Sequence, residues 1–177
     1  MTTGNVQAPQ YWDSCVFITY LRNRAAEAEQ VGVIRDLLRQ ATGGRILVVT
    51  STLSLAEVRP YADRYDAEHM GVIEDLFHTN RPYFRLVAVT GAISRRARQL
   101  GEQHRALSVA DSIHLATADM EPGVGDLFTY DGVREQGMRR SGQLTDLDNQ
   151  IGNPALRIRA PFVDLGPLFR GGPQLPA

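Results

Sequence analysis

The sequence predicts an α/β fold, a three-layer α/β/α sandwich around a mainly parallel central sheet, and three observations carry that reading. Ile46-Leu47-Val48-Val49 is an apolar run without alternation, as expected of a strand covered on both faces. Other segments repeat apolar residues every three or four positions, as in Val31, Ile34, Leu37 and Leu38, the mark of a helix with one buried face. The two kinds of segment alternate along the chain, the order expected of crossover connections in a parallel sheet.

The elements follow in order. Gln10-Tyr11-Trp12 reads as a short strand ending at polar Asp13, and Ser14 to Leu21 is a mainly apolar segment that opens a helix. Glu27 to Gln40 is the helix with the buried stripe, stopped by Thr42-Gly43-Gly44. Arg45 to Thr50 is the second strand, and a helix follows from about Ser54. Asp63 to Thr79 reads as helix, Phe84 to Val89 as strand and Gly91 to His104 as helix. Ser108 to Asp119 makes a short helix, Asp126 to Thr129 a short strand, and Leu156 to Pro161 a last strand at the edge. Gly142 to Asn153 is rich in turn formers and reads as loop, and Gly171 to Ala177 as a frayed tail.

Composition narrows the function. With 177 residues and 43% hydrophobic content, a single domain over 1–170 with a tail at 171–177 is expected. A formal charge of -1 rules out a globally basic nucleic-acid binder, so such binding would need a local arginine cluster or metal bridging. One cysteine cannot close an internal disulfide, and no basic start leads into a short apolar run, so a cytoplasmic location without a membrane span is expected. All 19 basic residues are arginine. A phosphate-binding P-loop, and the receiver and haloacid-dehalogenase sites that share an acid-rich pattern, depend on a lysine, so these readings fall away. No Gly-x-Ser-x-Gly elbow supports serine hydrolase chemistry.

Ligands in open α/β sheets bind beyond the carboxyl ends of the strands. Asp13 follows the first strand, Glu57 lies in the helix after the second, Asp131 follows the strand ending at Thr129, and the helix holding Asp111 can dock at the same rim. Four acids could therefore face one another. A structural reading competes with this. Ser54 with Glu57 and Ser108 with Asp111 both have capping-box spacing, and Asp131-Gly132 is a good turn dipeptide.

Taken in order, the segments resemble those of the PIN-domain nucleases. Trp12-Asp13-Ser14 is similar to their opening block, Val48-Val49-Thr50-Ser51 through Leu55-Ala56-Glu57-Val58 to their second, and Thr129-Tyr130-Asp131 to their fourth. Ala110-Asp111-Ser112-Ile113-His114-Leu115-Ala116-Thr117-Ala118 resembles their most recognisable block. Two departures stand out: Arg134 sits where the family often places an aromatic residue, and the segment from Arg139 to Ala177 exceeds that of compact members.

The resemblance implies a metal-dependent endoribonuclease with RNA as substrate, of the kind found as VapC-like toxins, with an antitoxin protein as partner and a homodimer as assembly. Left open beside it are a PIN nuclease acting in RNA processing outside a toxin pair and a fold kept for binding without catalysis. Clustered carboxylates repel unless a divalent cation neutralises them, and hard oxygen ligands favour Mg²⁺ or Mn²⁺. Such an ion would activate water for in-line attack on a phosphodiester. Asp13 and Asp111 are the expected principal ligands, with Glu57 and Asp131 acting through water or a second ion. Ser14 and Thr129 are candidates for hydrogen bonds that orient the carboxylates, with helix cap and strand-end hydroxyl as the alternatives. His114 lies one turn after Asp111, and a packed or orienting role is simpler for it than metal ligation. Asp119 and Asp126 are expected to be solvated and Cys15 to be a small core residue. Arg22, Arg24, Arg95, Arg96 and Arg98 could contact phosphate, with a solvated helix face the alternative for the last three.

Overall fold

The computed structural model describes residues 9–58, 67–78, 81–132, 144–152 and 154–163. In chain order these form β1 (Gln10–Trp12), α1 (Ser14–Arg22), α2 (Ala28–Thr42), β2 (Val48–Ser51), α3 (Thr52–Glu57) and α4 (Ala67–His78). There follow β3 (Phe84–Val87), α5 (Gly91–Gln103), α6 (Val109–Met120), β4 (Asp126–Phe128) and β5 (Arg157–Arg159). The strands make one sheet in the order β3-β2-β1-β4-β5, and every pairing in it is parallel.

Alternation along the strands sorts the core into two layers, one on each face. Trp12, Val48 and Phe128 point toward α1, α2 and α4, where they join Phe17, Ile34, Leu37 and Ile73. Tyr11, Val49 and Leu127 point the other way and meet Leu100 of α5 and Leu115 of α6. Helices on both faces of a parallel sheet complete the three-layer α/β/α sandwich. Among the described residues, no helix is long and apolar enough to cross a membrane.

Several boundaries differ from the sequence reading. The strand expected from Arg45 enters the ladder only at Val48, although Ile46 is already buried. The helix after it begins at Thr52, not Ser54, because the Ser51 hydroxyl caps it by accepting from the Leu53 N–H. Glu57 therefore ends α3, and the Ser54–Glu57 pair is not a capping box. The strand expected to reach Val89 stops at Val87. Residues 63–66 and 79 of the expected Asp63 to Thr79 helix, Arg134, residues 142, 143 and 153 of the expected loop and the expected tail 171–177 lie outside the described residues.

Within the expected loop, Thr145–Leu147 forms a turn of 3₁₀ helix, and Leu144, Leu147 and Ile151 are buried in the second core layer. Asp126 is likewise buried rather than solvated. Arg157 and Arg159, projecting from the neighbouring β5, each donate to it at 2.6 Å. Asp119 accepts from Arg96 Nε at 2.7 Å and is largely covered, which also removes Arg96 from the candidate phosphate contacts. Arg98 pairs with Glu102 on the exposed face of α5.

Candidate functional site

The sheet order makes β1 the switch point, since the chain runs from β1 out through β2 to β3 and then returns to β4 on the other side of β1. Crevices open at such points beyond the carboxyl ends of the strands. Here a groove of about 490 Å³ lies at that place, and Asp13, Ser14, Glu57, Asp111, His114 and Asp131 all line it.

Asp13 is buried at the N-cap position of α1, yet its side chain makes no capping bond. The carboxylate that would ordinarily satisfy the helix N–H groups is turned to other donors. Its Oδ2 accepts from Thr129 Oγ1 at 2.8 Å and from Cys15 Sγ at 3.1 Å, while Oδ1 lies 3.3 Å from His114 Nε2. Glu57, at the end of α3, reaches the same imidazole: His114 Nε2 lies 2.7 Å from Glu57 Oε2, which also accepts from Ser14 Oγ at 2.5 Å. Both carboxylates can only accept, so Nε2 carries the hydrogen between them. On the far side of the ring, Nδ1 meets the Tyr11 hydroxyl at 2.8 Å.

Beneath this cluster runs a line of hydroxyls. Thr50 Oγ1 donates to the Trp12 carbonyl at 2.8 Å, which commits its only hydrogen, so the Ser54 hydroxyl at 2.7 Å donates to Thr50. Ser54 in turn lies 3.1 Å from Ser14 Oγ. Ser14, whose one hydrogen goes to Glu57, packs against this anchored Ser54 hydroxyl.

Electrostatics follow from the geometry. Burial opposes charge on His114, but Asp13 and then Glu57 outweigh it and raise the imidazole pKa. Burial likewise opposes ionisation of Glu57, yet the hydrogen bonds from His114 and Ser14 prevail and lower its pKa. Burial, with Asp13 beside it, pushes the Cys15 thiol up, so it is a neutral donor. Burial also holds Tyr11 well above the ordinary phenol range.

One ligand atom from each of Asp13, Glu57 and His114 falls within 4.8 Å of the others, close enough to share one ion. Two carboxylates of fixed orientation suit a hard divalent cation, and the Nε2 proton would have to leave before the imidazole could join them. Asp111 is placed differently. It lines the groove, but its Oδ2 accepts from the Ser108 N–H at 3.1 Å in a complete capping box at the start of α6. Only Oδ2 is taken by that bond, so capping and facing the groove are compatible. Asp131 reaches the groove on the turn after β4, where its N–H donates to Thr129 Oγ1 at 2.9 Å.

Ser14 donates to Glu57 and Thr129 to Asp13, the kind of hydrogen bond for which both were candidates. The sequence reading did not foresee Tyr11, Thr50 or Ser54. Tyr11 has a signal in sequence, since alternation in β1 sends it to the α6 face, where His114 lies. Cys15 was read as core, and it is half-buried with its thiol on Asp13.

A family model described as the PIN domain matches residues 11–132. No curated protein sequence matches the chain. Among solved structures, similarity is found to Mycobacterium tuberculosis VapC20, described as a sarcin-ricin loop cleaving toxin. That match has a TM-score of 0.50 at 17% identity and covers 70% of this chain and 90% of that one, a likeness of fold.

Proposed function

Because the chain belongs to the PIN domain family, we propose that it is a metal-dependent endoribonuclease that hydrolyses RNA phosphodiester bonds at the groove beside β1, and that it is the toxin of a toxin-antitoxin pair. The observation that carries the nuclease reading is the convergence of Asp13, Glu57, Asp111 and Asp131 from four distant segments on one groove. Capping or turn roles would explain each acid alone but not their common destination. The toxin reading rests on the likeness of fold to VapC20, a sarcin-ricin loop cleaving toxin. A cytoplasmic location and an antitoxin partner go with it.

Asp13 and Asp111 are the proposed ligands for Mg²⁺ or Mn²⁺, with Glu57 and Asp131 acting through water or a second ion. When bound, the ion would polarise the phosphodiester and supply nucleophilic water near neutral pH. The protein's own residues do the rest. Thr129 and Cys15 hold Asp13 Oδ2, which turns Oδ1 toward the groove. Ser14 and His114 hold Glu57, and the Nε2 proton of His114 offsets carboxylate repulsion until a cation arrives. Arg22, exposed on the groove's edge, is placed to meet the RNA backbone.

The test is cleavage of a mixed RNA pool by purified protein with Mg²⁺ or Mn²⁺, compared with Asp13→Asn and Asp111→Asn. Both variants should lose at least about 100-fold in rate, the scale of removing a group that stabilises the transition state. Cleavage that survives both substitutions would overturn the site. A small antitoxin gene beside the reading frame would separate a toxin from a nuclease of RNA processing.

A further inference from the structure

His114 is held from both sides, and the proposed chemistry draws on only one of them. Nε2 faces Glu57 Oε2 at 2.7 Å, Ser14 Oγ at 3.2 Å and Asp13 Oδ1 at 3.3 Å. On the far side of the ring, Nδ1 faces the Tyr11 hydroxyl at 2.8 Å. The imidazole is 1% exposed and the phenol 0%, so neither can turn to water for a partner. A buried polar atom that loses its partner is costly, and the Tyr11 bond is therefore as much a part of the site as the bonds to the acids.

The oxygens around Nε2 decide where its hydrogen goes. Carboxylates only accept, and Ser14 gives its hydrogen to Glu57, so Nε2 must donate. That leaves Nδ1 an acceptor in the neutral ring and a second donor in the charged one. A hydroxyl answers both, because it donates to the first and accepts from the second. A carbonyl or carboxylate in its place would serve the charged ring alone. Tyr11 is also well anchored: alternation along β1 sends it into the core layer of Leu100 and Leu115, with the Ser51, Thr117 and Thr50 hydroxyls beside its own. Turning the imidazole over would set carbon against Tyr11 and Glu57 and break both bonds at once, so the two bonds select one ring orientation. They differ in one respect. A carboxylate facing a divalent ion shares its oxygens with that ion, whereas the Tyr11 bond involves no acid and persists.

We propose that Tyr11 is a positioning residue of the metal site: its hydroxyl bond to Nδ1 holds His114 with Nε2–H toward Glu57 and Asp13, and so keeps both carboxylates placed for a divalent cation. The cation rests on the nuclease reading above, whereas the ring orientation rests on the hydrogen bonds alone.

Tyr11→Phe removes only the hydroxyl and keeps the ring in the core, so circular dichroism should show it folded. Nitrogen-15 NMR of the His114 side chain, assigned by its absence in His114→Gln, reads the bond without metal or RNA. Its Nδ1 resonance should move in Tyr11→Phe. Calorimetry with Mg²⁺ and with Mn²⁺ should show binding to Tyr11→Phe weakened about 10-fold, the low end of what losing an outer-shell partner costs. Leu100→Val loosens the same core layer and leaves the hydroxyl alone, so it should bind both ions as the unaltered protein does. Cleavage of a mixed RNA pool is measured in parallel and should slow in Tyr11→Phe alone.

An Nδ1 resonance unchanged in Tyr11→Phe would overturn the bond itself. Full metal affinity in Tyr11→Phe, or an equal loss in Leu100→Val, would overturn the positioning role and leave Tyr11 a core residue. Metal binding weakened in Tyr11→Phe alone, in a protein that cuts no RNA, would uphold the inference and remove the nuclease reading.

Discussion

At the scale of single residues, the site is held by hydrogen bonds whose worth depends on protonation. His114 is nine-tenths buried or more and touches two carboxylates, and its pKa in the folded protein stands above the ordinary 6.5. A group raised in this way stabilises the fold fully below its unfolded pKa and loses that contribution as pH climbs through the folded value. Glu57 has the opposite sign. Its pKa is lowered from 4.5, so its contribution is present above that value and vanishes as acid protonates it through the lower folded one. The metal-free protein should therefore be most stable between roughly pH 4.5 and 6.5, and should weaken toward alkaline pH. Denaturant unfolding in the presence of a chelator, followed across that range and up to about pH 9, measures it. His114→Gln should flatten the alkaline decline. An unchanged decline in that variant would show that another group carries it.

At the scale of elements, the start of α6 is where a structural bond and the proposed chemistry meet in one carboxylate. Asp111 closes the capping box with Ser108 and also lines the groove. Ser108→Ala should cost about 1 kcal/mol of stability through the lost cap. It should also slow cleavage, because Asp111 loses the Ser108 hydroxyl that bonds its N–H and fixes its place in the first turn. Urea unfolding and a rate measurement on the same sample separate the two effects. Loss of stability with full activity would show that the Ser108 N–H bond to its carboxylate suffices to place Asp111.

The elements also show what the sequence could reveal. Val48 and Val49 carry the strand signal because parallel strands are covered on both faces, and α2 shows its stripe because only one of its faces is buried. The helix after β2 was misplaced because Ser51 and Ser54 are both acceptable caps by local pattern. Tertiary contacts decide between them: Ser54 is drawn into the hydroxyl line with Thr50 and Ser14. Asp126 was misread for a similar reason, since its partners Arg157 and Arg159 are thirty residues away and only the pairing of β4 with β5 brings them together. The four acids were legible as a set. The role of His114 between Asp13 and Glu57 depends on β1, α3 and α6 converging, which no local spacing encodes.

At the scale of the whole molecule, the net charge of -1 conceals a concentrated negative site. Asp13, Glu57, Asp111 and Asp131 share one groove, with the buried His114 Nε2–H as a hydrogen-bond donor among them. Bringing these acids together opposes folding, and a divalent cation that binds the folded site but not the unfolded chain offsets the repulsion. An ion present at about 100 times its dissociation constant should add about 2.7 kcal/mol to stability. For a domain of this size that corresponds to a rise in Tm of roughly 5 to 10 °C. Thermal unfolding with Mg²⁺ or Mn²⁺, against NaCl of equal ionic strength, distinguishes site binding from general screening. Asp13→Asn should abolish most of the rise and Asp111→Asn should reduce it, while Asp119→Asn, whose carboxylate is held by Arg96 outside the groove, should leave it intact. Equal metal-induced rises in all three variants would place the ion elsewhere on the molecule. A rise lost with Asp13→Asn but kept in full with Asp111→Asn would shift the metal centre to Asp13, Glu57 and His114, the three side chains whose ligand atoms already lie within 4.8 Å of one another.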